Sequence, residues 1–154
     1  MDAAVAMRRG MIAGAAGATA LDALSYMDML VRGRSASDVP GQTVSRLVKS
    51  IGLILDGEDT VSSNRRTASG ALLGHADGVL AASLYALIRS AIRVPWPVGA
   101  AFLAGITLVT GEGSAVRTGA TDWSKWSLSE WVTDIVPRLA FGIVAAVVVE
   151  ALER

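Results

Sequence analysis

Hydrophobic residues along this chain gather in four blocks separated by polar stretches. The blocks run over about 10–31, 67–88, 94–111 and 131–150. A helix of about twenty apolar residues, rising 1.5 Å per residue, crosses a hydrocarbon core of ~30 Å, so the pattern predicts four membrane helices. The third block is short for a full span, and it alone carries no ionisable residue from Pro95 to Gly111. In the fourth, Leu139 to Val149 is apolar without interruption, whereas its first half carries Asp134 and Arg138. Those two stand four residues apart and so share a helix face. Ser127 and Glu130 fit a capping box, which sets the start of this helix near Leu128. Pro137 falls inside it, and either kinks the helix or marks the end of a short surface helix at Ile135–Val136.

The polar stretch over 32–66 is too long for a structureless loop in a compact domain. Within it Val44, Leu47, Val48, Ile51 and Leu55 fall at helical spacing opposite Ser45, Arg46, Lys49 and Ser50. That pattern predicts an amphipathic helix over about 43–55, lying at the membrane surface and ended by the Asp56-Gly57 turn. The stretch over 112–130, with GEGSAVRTG at 111–119, reads as a connection. The expected fold is therefore all-α: a four-helix transmembrane bundle of alternating direction, with an interfacial helix between the first and second helices, in a single domain over 1–154.

Small residues recur every four positions in two blocks. Gly10, Gly14 and Ala18 form one stripe leading to Asp22, and Gly70, Gly74 and Gly78 form another. Such stripes let helix backbones approach closely in lipid. Trp96 precedes the third block, and Trp123, Trp126 and Trp131 cluster before the fourth, as interfacial anchors would.

Composition adds to this picture mainly by exclusion. Over half of the residues are hydrophobic, 18% are charged and the formal net charge is zero, so no bulk field draws nucleic acid. Absence of cysteine removes disulfides and thiolate chemistry, and a single histidine, His75, removes multi-histidine metal sites. Twelve arginines against two lysines, with abundant Ala, Gly and Val, point to a GC-rich bacterial genome. Arg8 and Arg9 before an apolar run resemble the start of a signal peptide, but no polar mature region follows a cleavage site. Phosphate-binding glycine loops, dinucleotide fingerprints and nucleophile elbows are absent, and the basic connection lacks interleaved aromatics. No catalytic residue, cofactor or metal is expected.

The ionisable residues inside the blocks fall at one depth. If the helices alternate, Asp22, His75, Asp77 and Arg138 all lie roughly 10–15 Å from the same side, with Asp134 nearer the surface. A lone charge at the bilayer centre costs at least ~2.5–3.5 kcal/mol, so opposite charges should group, and Arg138 is expected to pair with Asp22 or Asp77. Such a layer is either polar glue between helices or a water-accessible path or headgroup site. Basic residues in the connections lean toward a cytoplasmic long connection with both termini outside.

Two segments, NRRTASGALLG at 64–74 and WVTDIVPRLAFG at 131–142, resemble stretches of small actinobacterial membrane proteins. More distantly they are similar to the YagU-like inner-membrane family. That resemblance implies a helical membrane protein and brings no established activity. The expected function is a noncatalytic, multi-pass protein of the bacterial inner membrane that acts by binding. Its partners would be membrane lipids and copies of itself or other membrane subunits, joined through the glycine ridges. A small transporter or channel using the polar layer is the alternative.

Overall fold

The computed structural model of the chain describes residues 2–53 and 60–154. Among the described residues there are five α-helices: α1 (Ala3–Arg32), α2 (Val39–Ser50), α3 (Thr60–Ala91), α4 (Trp96–Thr118) and α5 (Leu128–Glu153). A short 3-10 turn, Trp123–Lys125, precedes α5, and the described residues contain no strand. α1 packs against α3 and α5, α4 packs mainly against α5, and α2 lies across α3 and α4. Contacts fix the directions. Gly10 and Gly14 of α1 face Ser83 and Val79 of α3, so the two helices are antiparallel. Tyr85 meets Gly99 while Asp77 meets Thr110, which makes α3 and α4 antiparallel. Gly142 meets Ala100 while Arg138 meets Glu112, which does the same for α4 and α5.

Several boundaries differ from those the pattern predicts. α3 begins at Thr60 rather than 67, so Arg65 and Arg66 are helical. α4 does not stop at Gly111. It continues to Thr118, where Gly119 adopts the left-handed conformation (φ 75°) and its N–H caps Ala115 and Val116. The glycines of GEGSAVRTG thus lie within or directly after a helix, because only Gly119 needs the conformation that glycine favours. α2 starts at Val39 rather than 43, with Pro40 in its first turn, where the missing N–H costs nothing. Leu55 and the Asp56-Gly57 turn lie outside the described residues. α5 is continuous through Pro137, so no separate surface helix ends at Val136.

The α5 start follows the sequence signal. Ser127 Oγ accepts from Glu130 N at 3.3 Å, and Glu130 Oε2 accepts from Ser127 N at 2.6 Å. Ser127→Ala removes one half of this box. We expect a loss of about 1 kcal/mol, read as a lower melting temperature with unchanged helicity.

Size is distributed inversely to a water-soluble protein. The interior is built from alanines, among them Ala13, Ala82, Ala86, Ala145 and Ala146, around the larger Tyr85, Leu103, Phe141 and Val149. Large apolar side chains point outward: Leu30 is 84% exposed, Leu72 71% and Leu80 69%. Water-soluble domains bury such residues. Helices in lipid gain nothing from hiding them, and instead bring small residues together to pack backbone on backbone. Among the described residues three helices, α3, α4 and α5, are long and apolar enough to cross a membrane. α1 has the length, at 30 residues, but not the apolarity. Its inner face is Gly and Ala, and it carries Asp22 and Asp28.

α2 packs in an unforeseen way. The buried residues are Gly41, Thr43 and Ser45, whereas Leu47 and Ile51 of its apolar stripe are exposed. A Cβ on Gly70 would lie 2.7 Å from Gly41 N, so α2 crosses α3 backbone to backbone. Val44 and Val48 of the same stripe are half-buried.

Candidate functional site

The predicted polar positions converge on one cavity. Its volume is about 1060 Å³, and Asp22, His75, Asp77, Asp134 and Arg138 all line it. Thr107, Thr110 and Glu112 of α4 line it too, and α2 lies across its outer side with Thr43 and Ser45. On the inner side it is closed by Phe141, whose ring fills a slot made by two glycines. A Cβ on Gly17 would fall 2.7 Å from the ring, and one on Gly78 2.9 Å. Beyond Phe141 the interior is the apolar core of Leu103, Tyr85 and alanines.

Arg138 is the hub of the layer, but its partners differ from the expected ones. Its Nε and Nη2 donate to the two oxygens of Asp134 at 2.9 and 2.8 Å. Nη2 also donates to Glu112 Oε1 at 2.7 Å, and Nη1 donates to the Thr107 carbonyl at 3.0 Å. Asp22 and Asp77 are not in this set. A guanidinium is a planar fork, which fits a carboxylate one turn away on its own helix and a second on the neighbouring helix. Gly111 provides the room: a Cβ there would stand 3.3 Å from Nη1.

Asp22 and Asp77 have lighter partners. Asp22 Oδ2 lies 3.4 Å from His75 Nε2, and the other ring nitrogen of His75 lies 3.0 Å from the Ala71 carbonyl. Both side chains are substantially exposed to the cavity. Asp77 accepts a hydrogen bond from Thr110 Oγ1 at 2.8 Å. Two fully buried side-chain oxygens, Glu112 Oε2 and Ser45 Oγ, have no hydrogen-bond partner among the described residues.

Glu112 was missed because Gly111 and Gly113 beside it read as a loop. The signal that finds it is the helical register: Leu103, Ala104, Thr107, Glu112 and Ala115 are among the buried positions of α4. Also unforeseen was the cluster at the outer end of α1. Asp28 pairs with Arg32 at 2.8 Å and with Arg34, and Arg32 donates to Ser129 at 2.7 Å, tying α1 to the start of α5. A comparable knot stands at the opposite end, where Arg89 pairs with Glu153 at 2.7 Å and Glu150 at 3.5 Å.

The small-residue stripes have an internal use. Gly10 and Gly14 meet α3, Gly70 meets α2, and Gly78 meets Phe141. They are therefore not free ridges for a neighbouring subunit. Gly74 departs from its stripe: no atom lies within 4 Å of a Cβ built there, and the residue lines the cavity.

The tryptophans sit at both ends of the bundle. Trp96 opens α4 at one end. At the other, Trp126 and Trp131 stack edge to face at 4.9 Å, and Trp123 lies 6.2 Å from Trp131. Trp126 Nε1 donates to Thr121 at 2.8 Å. Asp122 caps the 3-10 turn, and hydrogen bonds from Ser124 hold its carboxyl below the usual aspartate range.

Comparison with known proteins finds no matching family model, no matching curated protein and no matching solved structure.

Proposed function

We propose that this chain is a noncatalytic, multi-pass protein of the bacterial inner membrane that acts by binding a small ligand or lipid headgroup in its polar cavity. α1, α3, α4 and α5 would cross the bilayer, and α2 would lie at the surface with Ile51 toward lipid. The outward Leu and Val side chains, the alanine interior and the tryptophans at both ends support this placement. Resemblance of 64–74 and 131–142 to the YagU-like family belongs to the same proposal.

One observation carries the binding role: a cavity of about 1060 Å³ is lined by ionisable groups from α1, α3, α4 and α5. Polar glue alone would close such a space, since helix-fixing networks gain by contact and lose by standing open. Binding to other subunits is the weaker part of the expected function, because the glycine stripes meant to serve it are occupied within the chain. Transport through the same layer would require the Phe141 plug to move.

Gly74→Trp tests the binding role. The indole would fill the cavity from a position with nothing within 4 Å of its Cβ, so the fold should hold. Native mass spectrometry of the protein released from membranes in mild detergent should find a bound small molecule on the wild type. The same measurement should find at least tenfold less on Gly74→Trp at an equal melting temperature. A wild type that carries nothing, or a filled variant that carries as much, would reject the reading.

A further inference from the structure

We infer that a cavity between the α3–α4 turn and the end of α5 holds the phosphate of a phospholipid, seated on Arg93 and the Trp96 indole. The site rests on the proposed bilayer placement, and it needs no ligand in the polar cavity. This second cavity, of about 550 Å³, lies at the end of the bundle away from the polar layer. Arg89 and Arg93 line it from the end of α3 and the turn, Trp96 from the start of α4, and Glu150 and Glu153 from α5.

Ionic partners in this cavity are unevenly shared. Arg89 Nε donates to Glu153 at 2.7 Å, and its Nη2 lies 3.5 Å from Glu150. Its Nη1 donates to the Val94 carbonyl and, at 3.4 Å, to the Tyr85 hydroxyl. Arg154 lies 3.4 Å from the other oxygen of Glu150. Arg93 shares the cavity with both carboxylates yet pairs with neither, and it has no other partner among the described residues. The Trp96 indole N–H is likewise without an acceptor among them. What the cavity has left to offer is therefore donors, and one of them is always charged. Arg89 ties both α5 and the turn to α3, so the walls are held before a ligand arrives. The ligand that fits is an anion with more than one acceptor oxygen, as a phosphodiester is.

Position makes that anion a lipid's. Trp96, 42% exposed, stands where an indole marks the membrane–water boundary, and Arg93 lies just before it on the turn. From the cavity an uncharged face descends along α4. Val98, Ala101, Phe102, Gly105 and Val109 are exposed on it at helical spacing, and a Cβ on Gly105 would meet nothing within 4 Å. From Val98 to Val109 this face runs about 16 Å, roughly half of a ~30 Å hydrocarbon core. That is the depth to which the acyl chains of one leaflet reach, so a lipid held by its phosphate can lay its tails along α4.

The full chain, purified in a neutral detergent, is titrated with three compounds, following bound species by native mass spectrometry and the melting temperature. They are dioleoylphosphatidylglycerol, dioleoylglycerol (the same tails without the phosphate) and glycerol phosphate. Phosphatidylglycerol should bind roughly tenfold more tightly than either of the others. Arg93→Gln should abolish that preference, and Arg93→Lys should keep only part of it, since an ammonium cannot fork across two phosphate oxygens. Arg93 has no partner to lose, so both variants should melt like the wild type when no lipid is added. Arg8→Gln is the control for general attraction between basic residues and anionic lipid. Arg8 is exposed at the same end of the bundle, because Gly10 faces Ser83 near the end of α3, and its loss should leave the preference intact.

Equal binding of phosphatidylglycerol and dioleoylglycerol overturns the inference. So does a preference that survives Arg93→Gln, or one that falls as far in Arg8→Gln. Glycerol phosphate bound as tightly as the lipid would overturn the choice of a phospholipid. A lipid seated here leaves with Arg93→Gln and stays with Gly74→Trp, whereas a ligand of the polar cavity does the reverse, so the two sites fail separately. Release of the protein from membranes by alkaline carbonate would remove the bilayer placement itself, and this site with it.

Discussion

Arg138→Leu is expected to destabilise the protein by about 3–5 kcal/mol, the cost of breaking a buried ion pair from one side. The change leaves Glu112 and both oxygens of Asp134 without their cation, and it frees the Thr107 carbonyl. Thermal unfolding in detergent measures the loss. Arg138→Lys should recover only part of it, since an ammonium is a point charge and cannot fork across α4 and α5 together. A triple variant, Arg138→Leu with Glu112→Leu and Asp134→Leu, should regain most of the stability, because matched apolar groups replace a buried ionic set at little net cost. Should Arg138→Leu melt like the wild type, the guanidinium would not be what holds α4 to α5 in the polar layer. A triple variant less stable than Arg138→Leu alone would show that the carboxylates have other partners.

The second large effect belongs to Gly14. A Cβ there would stand 2.6 Å from the Val79 Cα and 2.9 Å from the Gly78 carbonyl oxygen. Both obstacles are backbone, so no rotamer change relieves them. Gly14→Val must push α1 away from α3 along their whole crossing. We expect a loss of roughly 3 kcal/mol, the upper part of the range for overpacking. Gly74→Val is the control. It lies on a stripe with the same four-residue spacing, yet its Cβ meets nothing, and valine in place of a helical glycine recovers about 0.3 kcal/mol. Melting temperatures of the two variants should therefore fall on opposite sides of the wild type. Equal effects would show that spacing alone, and not the crossing, sets the role of these glycines.

This contrast shows where reading along the chain stops. Gly14 and Gly74 look alike in the sequence, since each sits between glycines or small residues four positions away. Only the path of the neighbouring helix separates them. Gly70 receives α2, Gly78 receives Phe141, and Gly74 between them faces open space. Glu112 teaches a similar lesson. Flanking glycines suggest a loop, but a helix already held by Leu103, Ala104 and Thr107 carries through them to Gly119. Packing of α4 on α5 outweighs a glycine penalty of ~1 kcal/mol each. The start of α5 was legible because a capping box is a local device that needs no tertiary partner.

Taken by itself, the order of residues determined that the chain is helical and roughly where its apolar lengths fall, and it singled out Asp22, His75, Asp77, Asp134 and Arg138, which line one cavity. Each of these depends on spacing along a single helix, or on the simple alternation of helix direction. Tertiary structure decided that Arg138 turns to Glu112 and Asp134, that the stripes are consumed inside the chain, and that the layer opens into a cavity. Those outcomes depend on how far apart the helices settle and how they rotate about their axes. Backbone contacts between residues distant in the sequence set both.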